Sequence, residues 1–159
     1  MSSAGFRIEI GRWAECAAGA RAVRTAVFID EQGIASEDEW DAADASALHA
    51  LALHDAAGCI GTARLLRELP AAAGAGTAAP GLTVARIGRV AVLPAWRGRQ
   101  VGVALMQALC ACAQARGDTQ VLLNAQCHAQ TFYARLGFVA EGDAYDDAGI
   151  PHIAMRRAF

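Results

Sequence analysis

Hydrophobic and polar residues follow two different periods near the start of the chain. Residues 6–10 alternate between apolar and charged side chains, a pattern that predicts a half-buried strand. Residues 14–29 instead place Val23, Val27 and Phe28 at helical spacing, so we expect a helix there. The change of period indicates a strand followed at once by a helix.

The next apolar runs indicate a β-hairpin. Residues 48–54 and 59–66 are both apolar, and they flank the turn-forming residues 55–58. The preceding stretch, residues 30–47, lacks either period and is expected to form loops or short helical turns. A strand pair therefore follows the first helix.

The second half of the chain alternates strands and helices. Residues 83–93 form a long apolar run that ends at Pro94 and suits a central strand. Residues 98–116 predict a helix capped by Gly117, with an apolar face made of Gly102, Leu105, Met106, Leu109 and Ala113.

Four more elements complete the pattern. They are a strand at 120–124, a helix at 129–136, and strands at 138–145 and 153–157. Residues 70–81 are rich in Ala and Gly and are expected to be a connection of low complexity. The order of elements predicts one mixed α/β domain over residues 1–159.

Composition and charge exclude several classes of function. Fourteen basic residues, all of them Arg, and 16 acidic residues give a net charge of −2, which argues against nucleic acid as a partner. The absence of Lys excludes a lysine Schiff base and a Walker-type phosphate site. No apolar run is long enough to span a membrane, and we see no secretory signal. Five Cys without a CxxC pair fit buried thiols in a reducing cytoplasm, with no metal site.

The most informative segment joins a strand, a glycine-containing turn and a helix over residues 90–106. Helix N-termini expose amide donors and a partial positive charge, which suit a phosphate group. Gly98 and Gly102 allow close backbone approach, and Arg97 and Arg99 add positive charge. This turn is therefore a candidate pyrophosphate site.

Together with a second strand–helix pattern at 126–138, this segment resembles the GNAT superfamily of acyl-CoA-dependent N-acetyltransferases. The similar segments are 27–32 (end of the first helix), 87–94 (fourth strand), 97–102 (pyrophosphate loop), 132–138 (final helix) and 149–155 (tail of the ElaA-type branch). Gln100 departs from the pattern because a glycine is usual at that position in the family.

The resemblance implies a fold and a reaction. The expected fold is a mixed, mostly antiparallel sheet that is splayed between strands four and five and flanked by helices. The expected reaction is direct attack of a primary amine on acetyl-CoA without a metal, with Tyr133 protonating the CoA thiolate. The implied cofactor-binding residues are Val90, Ala91, Val92, Arg97, Gly98, Arg99, Gln100, Val101, Gly102 and Gln126.

The general base that deprotonates the amine is left open. Many family members carry a Glu on the fourth strand, but the matching residues 85–87 contain no carboxylate. The candidates are Glu31, Glu39, Asp41 and His152, of which Glu31 and His152 are placed with Tyr133 in the predicted catalytic set.

Two alternatives to direct acetyl transfer remain open. Gln100 and the missing carboxylate favour an acyl-CoA-binding regulatory module with little or no turnover, and Cys127 beside His128 offers a covalent route. Seven acidic residues within 30–44 suggest a cationic amine as the small-molecule substrate. The resemblance also allows a homodimer.

Overall fold

The computed structural model describes residues 5–68 and 83–159, so the expected connection at 70–81 lies outside the described residues. The strands are β1 (Phe6–Arg12), β2 (Leu48–His54), β3 (Gly58–Glu68), β4 (Val84–Val92), β5 (Gln120–Gln126), β6 (Val139–Asp147) and β7 (Ile150–Ala158). The α-helices are α1 (Trp13–Arg24), α2 (Ser36–Glu39), α3 (Val101–Ala115) and α4 (Gln130–Arg135). A π-helical segment, Thr25–Glu31, continues α1.

The strands form one seven-stranded sheet in the order β1-β2-β3-β4-β5-β7-β6. The pairs β1–β2, β2–β3, β5–β7 and β6–β7 are antiparallel, whereas β4 and β5 are parallel. The parallel pairing brings Ala85 opposite Val121 and Arg86 opposite Leu122, close to the start of both strands. The predicted GNAT-like mixed sheet with flanking helices is confirmed.

Two compact units can be distinguished. The first combines the chain up to Leu66 with Arg89–Ala111. Its core includes Val23, Val27, Phe28 and Ala91, so the apolar face predicted for the first helix is indeed buried. Helix α3 packs closely on β3, because a Cβ on Gly61 would lie only 2.9 Å from Val101 Cγ1.

The second unit combines Arg67–Gly88 with Cys112–Phe159. Its strands β5 and β7 bury Leu123 and Met155, whereas most of β6 is exposed. Helix α4 ends at Arg135, and Gly137, two residues later, has a φ of +94°, the left-handed conformation that glycine adopts readily. The next residue, Phe138, is 3% exposed and anchors the turn in the core.

The predicted helix boundaries need two corrections. The helix expected from residue 98 begins at Val101, because Gly98 and Gln100 both have positive φ values that are incompatible with a helix. The helix expected from residue 129 begins at Gln130, after a 3₁₀ turn at Cys127–Ala129.

Candidate functional site

The end of β4 carries the first candidate residues. Val90 and Val92 are half-buried, and Ala91 is buried in the core of the first unit. Arg89 just before them has a φ of +52°, which is rare for a residue with a side chain and indicates a local irregularity in the strand. Arg97 Nε donates to the carbonyl oxygen of Val92 at 3.0 Å. The turn is thus tied to the last residue of the strand.

The turn itself leads directly into α3. Gly98 has a φ of +75° and Gln100 a φ of +67°. The carbonyl of Gln100 accepts the first helical hydrogen bond, from Ala104 N at 3.0 Å. By helix geometry, the first amides from Val101 onward have no partner within α3 and are oriented to bind an anion. The residues expected to form a pyrophosphate loop do form a glycine turn at a helix N-terminus.

Arg97 already binds an oxyanion within the chain. Its Nη1 and Nη2 donate to the two carboxylate oxygens of Glu31 at 2.8 and 2.7 Å. This hydrogen bonding holds the pKa of Glu31 below its ordinary value and raises the pKa of Arg97. Arg99 lies over the ring of Trp96 at 5.0 Å. The geometry shows that the Arg97 guanidinium can bind a group with two oxygens side by side.

Tyr133 lies on α4 with 9% of its surface exposed. Its ring makes edge-to-face contacts with Phe132 and Phe138, at centroid distances of 5.0 and 6.1 Å. Burial raises the pKa of Tyr133 to about 12, so the phenol keeps its proton at neutral pH. The sequence pattern Phe132-Tyr133 therefore yields a rigidly packed phenol that remains a proton donor.

Gln126 is the last residue of β5. Its Oε1 lies 2.6 Å from His128 Nε2, and its register partner in β7 is His152. The His128 ring thus contacts an amide, whereas the covalent route needs it to activate Cys127. This arrangement gives no support to the Cys127 route.

Two of the four base candidates, Glu39 and Asp41, lie in an ion-pair network that is buried at Glu39 and exposed at Asp41. Glu39 is 2% exposed and accepts from Arg24 Nε at 2.7 Å, with Arg89 Nε at 3.3 Å. Burial raises the pKa of Glu39, although Arg24 and Arg89 oppose the shift. Asp41 pairs with Arg64 at 2.8 Å and with Arg89 at 3.3 Å.

Asp44 completes this network, through Arg24 at 2.8 Å and Arg64 at 3.1 Å. Burial acts against its ionisation, but hydrogen bonds from both arginines hold the pKa of Asp44 below its ordinary value. The network contains three arginines and three carboxylates, so its formal charges cancel. The acidic segment is consequently much less negative than its sequence indicates, and the cationic-amine hypothesis stays a prediction.

His152 has a different environment. Its Nδ1 lies 2.7 Å from the carbonyl oxygen of Ile150, and its ring stacks on Tyr145 at a centroid distance of 6.0 Å and an angle of 27°. Tyr145 is 41% exposed, and burial together with Asp147 raises its pKa. The residue is half-buried.

Sequence reasoning missed Arg89 and Tyr145. A signal for Arg89 was present, because an arginine inside an otherwise apolar strand requires buried partners. For Tyr145 there was none, because its pairing with His152 depends on a register shift between β6 and β7.

Metal-binding clusters and membrane-spanning helices are both absent from the described part of the chain. Within residues 5–68 and 83–159, no group of three or more His, Cys, Asp or Glu side chains could hold a metal ion. Over the same residues, none of the helices combines the length and the apolarity needed to cross a membrane.

Comparisons with known proteins agree with this geometry. Residues 32–159 match the family model of the acetyltransferase (GNAT) domain. The ElaA protein of Escherichia coli is 46% identical over 72 residues, which are 45% of this chain and 47% of ElaA, so the match spans about half of that relative. The protein YjcF of Bacillus subtilis, described as an uncharacterized N-acetyltransferase, is 32% identical over 85% of this chain and 87% of its own length.

Superpositions on solved structures cover nearly the whole chain. The crystal structure of Escherichia coli ElaA superposes with a TM-score of 0.76 and 30% identity, covering 96% of this chain and 99% of ElaA. An acyl-CoA N-acyltransferase from Pseudomonas aeruginosa superposes with a TM-score of 0.77 and 33% identity, covering 96% and 99%. The chain belongs to the GNAT acetyltransferase family.

Proposed function

We propose that the protein transfers the acetyl group of acetyl-CoA to a primary amine by direct attack in a ternary complex. The turn at 97–102 carries the proposal, because it joins a helix N-terminus to an arginine that already holds a carboxylate. Membership of the GNAT family, and similarity to a structure described as an acyl-CoA N-acyltransferase, support acyl-CoA as the donor.

The residues of the turn suit a diphosphate. The first-turn amides from Val101 and Gly102 supply uncharged donors, and Arg97 and Arg99 supply positive charge. A Cβ on Gly98 would meet nothing within 4 Å, so the turn is open on that side. In the proposal, the backbone of 90–92 pairs with the amides of the pantetheine arm.

Tyr133 is the proposed donor to the leaving thiolate. The amine nitrogen forms a bond to the thioester carbon, the carbon–sulfur bond breaks, and the sulfur takes the phenol proton. The Tyr133 phenol carries its proton at neutral pH, and burial, which raises its pKa to about 12, makes it a weaker acid than a free phenol.

A cationic acceptor is part of the proposal. The ion-pair network neutralises Glu39, Asp41 and Asp44, but other carboxylates of the same segment are exposed, namely Asp30, Glu37 and Asp38. Such exposed carboxylates attract a positively charged amine over distances of about 10 Å.

Thiol release from acetyl-CoA tests the proposal, with spermidine, tyramine and n-butylamine as acceptors. We expect turnover by the wild type and a loss of about 10²-fold in Tyr133→Phe, with CoA affinity unchanged in the variant. Cys127→Ala should retain wild-type turnover. An increase in melting temperature with CoA checks binding independently of turnover.

The second candidate is an acyl-CoA-binding regulatory module. Gln100 at the usual glycine position, Glu31 bound to Arg97, and the absence of a carboxylate at 85–87 favour it. It is the correct reading if CoA raises the melting temperature while none of the three amines releases thiol. If CoA leaves the melting temperature unchanged, both candidate functions are contradicted.

A further inference from the structure

We propose that His152 is the general base of the reaction, accepting the proton of the acceptor ammonium on Nε2, and that Tyr145 positions its ring. The inference rests on the proposed acyl transfer, since it assigns a role within that reaction. It starts from the contact between the imidazole and the backbone of Ile150.

This contact determines the tautomer of His152. A carbonyl oxygen can only accept a hydrogen bond, so the short 2.7 Å distance to Ile150 requires the proton to be on Nδ1. In the neutral ring, Nε2 then carries the lone pair. The imidazole is therefore held in the one neutral form that presents a basic nitrogen away from its own backbone.

The sheet places His152 beside the end of a parallel strand. It is the register partner of Gln126, the last residue of β5, and of Tyr145 on β6. Side chains directly opposite one another in an antiparallel pair lie on the same face of the sheet. Ligands of parallel strands are commonly bound outside their carboxyl ends, and β5 is the parallel partner of β4. His152 thus lies beside the carboxyl end of β5.

Tyr145 restricts the orientation of the imidazole. The two rings are nearly parallel, at 27°, and their strands are paired at this position. Rotation of the His152 ring about its Cβ–Cγ bond would break both the stacking and the hydrogen bond to Ile150. The base is preorganised by these two contacts.

The other base candidates are held by arginines. Glu31 is bound by Arg97, Glu39 by Arg24 and Arg89, and Asp41 by Arg64 and Arg89. The hydrogen bonds from Arg97 lower the pKa of Glu31 and weaken it as a proton acceptor. Burial raises the pKa of Glu39, but only 2% of its surface is exposed, so a substrate has little access to it. The hydrogen bond to the Ile150 carbonyl instead leaves the lone pair on Nε2 of His152 available to accept a proton.

The proton balance is complete with groups of this chain. The ammonium gives one proton to Nε2, and the resulting amine attacks the thioester. The adduct nitrogen loses its second proton to solvent, and Nε2 of His152 releases the first one to solvent after turnover. The leaving sulfur gains one proton from Tyr133, which recovers it from solvent. The products are the acetamide, the CoA thiol and one proton released from the ammonium.

The surroundings of His152 contain several titratable or charged groups. On β6 these are Tyr145 and Asp147, and the turn after β5, which contacts β7, carries Cys127 and His128. Arg86 on β4 also interacts with Tyr145. A pH profile must therefore be compared with that of a variant that changes only the imidazole.

The test uses His152→Asn. The asparagine amide can still donate to the Ile150 carbonyl, but it has no basic atom. We expect kcat/KM with spermidine to fall 10²- to 10⁴-fold at neutral pH. The loss should shrink as pH rises, because the amine then loses its proton without help. Glu9→Gln, a comparable change at an exposed pair with Arg7 on β1, should leave turnover unchanged.

Two readouts separate a base from a structural role. Melting temperature and CoA affinity should be unchanged in His152→Asn, and nitrogen NMR of the wild type should show Nδ1 protonated and Nε2 unprotonated at pH 8. Retained activity, a loss that is equal at every pH, or a proton found on Nε2 would overturn the assignment. Failure of the wild type to acetylate any amine overturns the proposed function itself, and the assignment of His152 with it.

Discussion

Gln100 illustrates how one backbone angle changes the reading of a motif. In sequence it replaces the usual first glycine of the pyrophosphate loop, and the position has the φ of +67° that favours glycine. A residue with a Cβ in this region costs about 1–2 kcal/mol. The loop conformation is therefore maintained against the preference of its own residue, which indicates that the flanking turn and helix impose it.

Replacing Gln100 with glycine should stabilise the protein. Relief of the left-handed strain outweighs the extra chain entropy of glycine, which is about 0.5–1 kcal/mol, so we expect a gain of about 0.5 kcal/mol in the unfolding free energy. The matched control is Gln107→Gly, an exposed position inside α3, which should lose about 1 kcal/mol. Urea denaturation measures both. A loss at both positions would show that Gln100 makes compensating contacts.

At the scale of elements, the Glu31–Arg97 pair links the end of the π-helical segment Thr25–Glu31 to the turn before α3. Both side chains are about two-fifths exposed. The guanidinium binds both carboxylate oxygens, which fixes the relative orientation of the two side chains. A diphosphate bound to the turn would compete with Glu31 for the same guanidinium. The carboxylate is thus an internal competitor of the proposed donor.

Removing that competitor should strengthen CoA binding. We expect Glu31→Gln to lower the Kd for CoA about two- to fivefold, the range expected for an exposed ion pair. Calorimetric titration measures the change. Pantetheine, which lacks phosphates, should bind both proteins equally, and Glu9→Gln, at an exposed pair with Arg7, should have no effect. A weaker affinity in Glu31→Gln would mean that Glu31 holds Arg97 in its binding position.

At the scale of the whole molecule, short-range sequence patterns predicted the helices and strands. Ion pairs between residues far apart in the chain could not be predicted in this way. The strands, the hairpin and the glycine at the end of α3 follow from short-range periodicity and turn chemistry. The pyrophosphate turn was likewise recognisable, because its residues are contiguous. The partners of Glu31 and Glu39 were not, since Arg97 and Arg89 lie 66 and 50 residues away along the chain.

Arg24 joins the two buried carboxylates of the ion-pair network, Glu39 and Asp44. It is 1% exposed, and it binds Glu39 and Asp44 while its guanidinium lies 4.7 Å from the ring of Trp40. It thereby links α1 to residues 30–47, which the sequence predicts only as loops or short helical turns. Because both carboxylates are buried, loss of the guanidinium leaves negative charge with too few partners.

Arg24→Met should therefore be strongly destabilising. We expect a loss of about 3–5 kcal/mol in the unfolding free energy, measured by urea denaturation. Arg7→Met removes the same charge from exposed pairs with Glu9 and Asp55 and should cost about 1 kcal/mol or less. Adding Glu39→Gln and Asp44→Asn to Arg24→Met should recover part of the loss, since the unpaired charges are then removed. Equal costs for the two arginines would show that the buried network contributes no more than a surface pair.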